Sequence, residues 1–272
     1  MKLTKTYETL ALDEPAEHVL RITLNRPEVS NAMNTQMGLD MLDLWDALCN
    51  DPGLYRCVIL TGAGEAFCAG GNVKDMLAGR GMFGGSSAQM RQAYRAGIQN
   101  VPLALHNLEV PVIAAVNGVA VGAGLDLSLM CDLRIAAEGA SFAESFVRLG
   151  LISGDGGAWL LQRAIGPARA AQLTLTAQTI DAAAALAWGL VSEVVPAERL
   201  LPRTLELARV IAAHPPLSVR MNKRLLRDSA AVPLATALEF AAALQAVAQH
   251  TEDHREALRA FADKRPPRFV GR

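Results

Sequence analysis

Apolar and polar residues alternate through His18-Val-Leu-Arg-Ile-Thr-Leu-Asn25, and most of the apolar ones are branched. That period of two predicts a strand, ended by Arg26-Pro27. Over residues 34–48 the apolar positions Met37, Met41, Leu44, Trp45 and Leu48 recur at helical spacing, and Asp51-Pro-Gly53 should stop that helix. Arg56-Cys-Val-Ile-Leu-Thr61 is mostly apolar, as expected of a strand covered on both faces. Val112–Val116 and Leu133–Ala137 read as two more strands, with helical patterns at 88–107 and 124–131. Strands separated by helices predict an α/β fold with parallel pairing. After Val195-Pro196 the character changes. Residues 201–213, 217–227, 234–250 and 253–264 all read as helices, so the expected organisation is a mixed core over 1–195 and a helical unit over 196–272.

Composition narrows the partners. The 26 Lys+Arg and 27 Asp+Glu nearly cancel, which argues against a nucleic-acid binder working by bulk positive charge. Arg220-Met-Asn-Lys-Arg-Leu-Leu-Arg227 is a basic helix face, expected to be solvated or to meet another subunit. The most apolar stretch, 110–125, is interrupted by Asn117 and three glycines and is too short to span a bilayer. The first residues lack an apolar run of signal-peptide length. Cys49, Cys57, Cys68 and Cys131 show no Cys-x-x-Cys or His-Cys spacing, so reduced cytoplasmic thiols are expected and zinc is not. His250 and His254 stand four apart, but without a Glu beside the first they read as exposed side chains. Cys68 is either a reactive thiol or a packing residue.

Two glycine-rich turns, 60–74 and 115–126, each follow a predicted buried strand, where α/β proteins usually bind ligands. Gly62-x-Gly64 and Gly122-x-Gly124 begin dinucleotide-like patterns, yet Phe67 and Leu127 occupy the third glycine positions, and no phosphate-loop Gly-Lys-Ser/Thr is present. Two such turns can instead each direct one N–H at a single oxygen and stabilise its negative charge. Between them lies Gly79-Arg-Gly-Met-Phe-Gly-Gly-Ser-Ser87, a loop expected to be mobile, either as a linker or as a flap over a pocket.

Ala66-Phe-Cys-Ala-Gly-Gly-Asn-Val-Lys74 together with the run from Val116 through Gly122-Ala-Gly-Leu-Asp126 to Cys131-Asp132 resembles the crotonase superfamily, which includes the enoyl-CoA hydratases and isomerases. The likeness extends through Leu24-Asn-Arg-Pro27 with Asn31-Ala32, Gly150-Leu-Ile-Ser-Gly-Asp-Gly-Gly157, Ala187-Trp-Gly-Leu-Val-Ser-Glu-Val-Val195 and Ala260-Phe-Ala-Asp-Lys-Arg265. It implies a spiral of ββα units with a C-terminal helical oligomerisation region, assembled as a trimer or a dimer of trimers. It implies an acyl-CoA substrate with no separate metal or redox cofactor. It also implies an oxyanion hole formed by the N–H groups of Gly71 and Ala123. Contacts to CoA fall on Val29, Ala69 and Gly70, with Phe261 and Lys264 reaching CoA on a neighbouring subunit; a solvated helix end is the other reading of Lys264.

The two glutamates of a hydratase in this family match Asp126 and Phe146 here. The first change shortens a carboxylate, and the second removes a proton carrier, since a phenyl ring cannot move a proton. Three carboxylates remain as catalytic candidates. Asp126 lies one helical turn past Ala123 and either faces the site or complements a helix dipole. Glu144 lies two before Phe146, so in extended chain it shares that side; otherwise it is a surface charge. Asp155 in Ser153-Gly-Asp-Gly-Gly157 is either a working acid or a helix N-cap. Hydration, isomerisation and retro-Claisen C–C cleavage all pass through the same enolate, and a non-catalytic CoA-binding scaffold remains an alternative because of Phe146.

Overall fold

The computed structural model describes residues 3, 5–51 and 53–272. The expected helix stop at Asp51-Pro-Gly53 and the reading of the first residues therefore fall partly outside the described residues. The chain opens with a hairpin of β1 (Leu10–Ala16) and β2 (Val19–Leu24), followed by α1 (Thr35–Asn50) and β3 (Cys57–Gly62). Next come β4 (Ala66–Cys68), α2 (Val73–Leu77), α3 (Ser87–Ala96), α4 (Asn100–Asn107), β5 (Val112–Val116) and β6 (Val119–Val121). They lead to α5 (Ala123–Leu129), β7 (Leu133–Ala137), β8 (Ser141–Ala143), α6 (Gly157–Thr176), β9 (Thr179–Asp181), α7 (Ala182–Trp188) and β10 (Glu193–Val195). Four helices follow: α8 (Leu200–Ala212), α9 (Pro216–Ser229), α10 (Leu234–Gln249) and α11 (Glu252–Ala262).

The longer strands form one sheet in the order β1-β2-β3-β5-β7-β10, parallel from β2 onward. Four three-residue strands form a second sheet, β4-β6-β8-β9, parallel except for β8–β9, while the equally short β10 closes the edge of the first. Each turn of the spiral sends one strand to the first sheet and the next to the second, as β3 to β4, β5 to β6 and β7 to β8. Side chains alternate along a strand. Val58, Leu60, Val112, Ala114 and Val116 therefore enter the main core, while Cys57, Ile59, Ile113 and Ala115 pack beneath α8 with Leu200 and Ala208. This double cover explains why β3 and β5 read as unbroken apolar runs.

Several details depart from expectation. β1 is an edge strand that is mostly exposed or half-exposed, with Asp13, Glu14 and Pro15 in succession, so its sequence carries little strand periodicity. The helix expected over 88–107 is two helices, α3 and α4, separated at Gly97. The basic face of α9 is not a solvated face. Arg220 is buried and donates to Tyr55 O, Lys223 pairs with Asp132 at 2.7 Å and donates to Val110 O, and Arg227 donates to His106 O. These side chains fasten α9 to the core. Among the described residues, no helix is long and apolar enough to cross a membrane.

Asn31 holds the first loop in place. It is fully buried; its Nδ2 donates to Ala63 O at 2.9 Å and Ala66 O at 2.8 Å, and its Oδ1 accepts from Arg26 N–H at 2.9 Å. Truncation would leave three backbone groups, one buried and two part-buried, without that partner. Asn31→Ala is expected to lower unfolding free energy by about 2–4 kcal/mol, checked by urea denaturation.

Candidate active site

The two turns expected to supply the amide donors lie beside each other, and Gly71 and Ala123 line one cavity. β4 pairs with β6 in parallel, bringing the loop after each to the same end. The loops pack backbone against backbone at points where only hydrogen fits. A Cβ on Gly124 would collide with Cys68 O, and one on Gly70, whose φ is +91°, would stand 2.7 Å from Val121 O. Asn117 adds a polar tie, its Oδ1 accepting from Gly62 N–H at 3.1 Å and its Nδ2 donating to Gly64 O at 2.9 Å.

Gly71 forms a parallel bridge with Met33 that uses Gly70 O and Asn72 N–H, so the Gly71 N–H faces away from that pairing. Ala123 is the first residue of α5, where an N–H has no partner within the helix. Gly71, Ala123 and Asp155 line one narrow cavity of about 50 Å³, walled otherwise by Met33, Met76, Met82, Phe83, Tyr94, Ile98, Phe146, Leu151 and Gly154. Met82 and Phe83 come from the glycine-rich loop, which is therefore part of a pocket wall. Gly154 and Asp155 also border an apolar pocket of about 440 Å³ with Leu103, Met130, Trp159 and Leu160. A cavity of about 780 Å³ beneath α9 contains neither amide and none of the three carboxylates.

The structure gathers all three candidate carboxylates and buries them: Asp126 is 0% exposed, Glu144 1% and Asp155 5%. Only Asp155 lines the narrow cavity; Asp126 and Glu144 lie behind it. Asp126 and Asp155 are within hydrogen-bonding reach of each other, and Glu144 within reach of Asp126 and Ser153. Ser153 Oγ donates to Asp126 Oδ2 at 3.0 Å. Burial raises the Asp126 pKa well above the usual carboxylate range, and the charges of Asp155 and Glu144 raise it further. Burial, then the charge of Asp155, pushes Glu144 up to about 8. Burial also raises Asp155, while a hydrogen bond from Asp126 holds it back. Asp155 is thus the member whose charge raises both of the others, while its contact with Asp126 holds its own pKa back.

Three expectations change here. Asp155 is not the N-cap of α6; Gly156 holds that position and no side chain caps the helix. Glu144 is not a surface charge. Nor does it share a side with Phe146 through extended chain, because β8 ends at Ala143 and the backbone turns into a 3₁₀ helix over Phe146–Leu149. Gly157 carries a constraint that the pattern reading passed over: any side chain there would overlap the Asp126 carboxylate. The doubled glycine after Asp155 was its visible sign.

Ala69 N–H donates to Ser30 O at 3.0 Å, which brings the Val29–Ser30 turn against Ala69 and Gly70, though none of Val29, Ala69 and Gly70 lines the narrow cavity. Phe261, 87% exposed, and the exposed Lys264 lie at the end of α11 and do not line the cavity. Cys68 is buried, with its thiol pushed up to about 12 by that burial, as fits a packing residue. Among the described residues, no group of three His, Cys, Asp or Glu side chains is arranged to hold a metal ion.

Known proteins resemble this chain along almost its whole length. The sequence profile described as "Enoyl-CoA hydratase/isomerase" matches residues 14–272. A probable enoyl-CoA hydratase of Mycobacterium tuberculosis is 38% identical over 267 residues, covering 98% of this chain and 100% of its own. The 1,2-epoxyphenylacetyl-CoA isomerase of Escherichia coli is 36% identical over 254 residues, covering 93% and 95%. Among solved structures, a putative enoyl-CoA hydratase from Streptomyces coelicolor superposes with a TM-score of 0.92 at 35% identity, covering 100% of this chain and 98% of that one. Sequence likeness along almost the full length, and the same fold at that level of identity, place the chain in the enoyl-CoA hydratase/isomerase family of acyl-CoA enzymes.

Proposed function

We propose that this enzyme shifts a proton along an acyl-CoA thioester, in the manner of an isomerase. The thioester oxygen sits between the N–H groups of Gly71 and Ala123, and Asp155 is the single substrate-facing base. Two donors at that oxygen stabilise the enolate formed when the α-proton leaves. Asp155 takes that proton and returns it to the α or the γ carbon; return at γ moves the double bond. The observation that carries this reading is that Asp155 is the one carboxylate lining the same cavity as both amides. Phe146, Leu151 and Met33 give that cavity an apolar wall, which disfavours holding a water between paired acids. The adjoining 440 Å³ pocket offers room for the far end of the acyl group.

CoA enters as part of the substrate, along Val29, Ala69 and Gly70, and the chemistry calls for no separate cofactor. Residues 196–272 would assemble the chain as a trimer or a dimer of trimers. In support, α10 has no buried residue and exposes Leu234, Leu238 and Val247. Phe261 and Lys264 would then reach CoA on a neighbour. Four unpaired cysteines fit a cytoplasmic setting.

Butyryl-CoA and 3-butenoyl-CoA in deuterium oxide test the reaction. The expected result is deuterium at the α carbon of the first and conversion of the second to crotonyl-CoA, followed by NMR. Hydration of crotonyl-CoA with neither of those activities would overturn the reading.

A further inference from the structure

Glu144 is the carboxyl that the proposed reaction leaves without a task. It follows β8, is 1% exposed and lines no part of the narrow cavity. With all three carboxyls ionised, neither of its oxygens, nor Oδ1 of Asp126 or Oδ1 of Asp155, has a hydrogen-bond donor among the described residues. Ionised carboxylates accept hydrogen bonds and cannot give them, so a cluster of this kind needs protons of its own. An unpaired buried charge costs several kcal/mol of lost hydration, whereas a neutral carboxyl supplies an O–H to a neighbour. The groups facing Glu144 are Asp126 from α5, and Ser153 and Asp155 from the turn before α6. Tyr94 of α3 and Cys68 of β4 face the cluster through Asp155. Among the described residues, no Lys, Arg or His is among the groups that shift the three carboxyls.

We propose that Glu144 is a positioning residue acting through Asp126: its neutral carboxyl, packed behind the cavity, keeps Asp126 protonated as the donor to Asp155, so that one negative charge is held at the substrate-facing member. The proposal rests on Asp155 being the base. Three carboxyls then hold two protons. When Asp155 accepts the substrate proton, the cluster becomes neutral and the charge resides on the enolate. When the proton returns, the charge returns with it, and no other reactant is needed. Ionising Glu144 would place a second charge in the same volume and draw the Asp126 proton away from Asp155.

The sign of the pH effect follows. Glu144 is raised from its ordinary 4.5 to about 8, so the folded chain keeps a proton that the unfolded chain gives up. Its contribution to stability is complete below the ordinary value and is lost as pH rises through about 8. The test compares wild type, Glu144→Gln, Glu144→Ala and Asp155→Asn between about pH 6 and 9, where linkage predicts the change. Melting temperature is read without substrate, and α-deuteration is read on butyryl-CoA. Wild type should lose melting temperature across that range and show a basic limb of activity near pH 8. Glu144→Gln is fixed neutral and still a donor; it should remove the basic limb near pH 8, reduce the melting-temperature loss to the share carried by Asp126 and Asp155, and retain about tenfold more activity at neutral pH than Glu144→Ala. The same limb and the same melting profile in Glu144→Gln would overturn the proposal. Should the variants not fold, infrared titration of wild type decides. A protonated-carboxyl band that bleaches near pH 8 supports the proposal, and a featureless titration overturns it. Full activity of Asp155→Asn would remove the base assignment instead, leaving the melting and infrared results to report on Glu144 separately.

Discussion

Asp155→Asn should abolish α-deuteration of butyryl-CoA, with a fall of about 10³-fold or more, because a positioned general base contributes 10²–10⁴-fold. The amide keeps the size and polarity of the side chain, so the cavity and its neighbours stay in place. What disappears is the one acceptor that both faces the substrate and carries charge. Asp126→Asn should fall less, by about tenfold, since its amide can still donate to Asp155. Isothermal titration with butyryl-CoA separates the two effects: affinity should persist in Asp155→Asn while turnover is lost. Full activity in both variants would leave the cluster without a catalytic role.

Ala123→Pro should cost nearly as much, about 10²–10³-fold in kcat, the usual loss of one oxyanion donor. Ala123 is the first residue of α5, the position where a helix tolerates proline because its N–H is unpaired anyway. The substitution therefore deletes one donor with little penalty to the helix. Ala123→Gly restores the N–H and serves as the control. Circular dichroism and melting temperature should match between the two, while turnover diverges. Equal turnover would show that the thioester oxygen lies elsewhere.

The sequence makes long buried strands visible and short ones invisible, for a physical reason. β3 and β5 are covered on both faces, so they appear as apolar runs long enough to recognise. β4, β6, β8 and β9 have three residues each, too few for any period, and only pairing with neighbours in space makes them strands. The break at Gly97 is hidden because apolar spacing continues through it. At the site, the glycine turns were legible because each glycine marks a close backbone approach. The burial of Glu144 was not. It depends on Asp126, Ser153 and Asp155 arriving from two other parts of the chain, and local pattern carries no record of that meeting. The same holds for α9, whose basic residues look solvated until Tyr55, Val110 and Asp132 are brought beneath them.

The interlocked glycine turns also bear on redesign. Gly70 against Val121 and Gly124 against Cys68 lock the two glycine turns backbone to backbone, at contacts that involve no atom of α2, α3 or the loop carrying Met82 and Phe83. Those segments can therefore be exchanged as a cassette, retuning which acyl groups fit while the two proposed amide donors keep their backbone support.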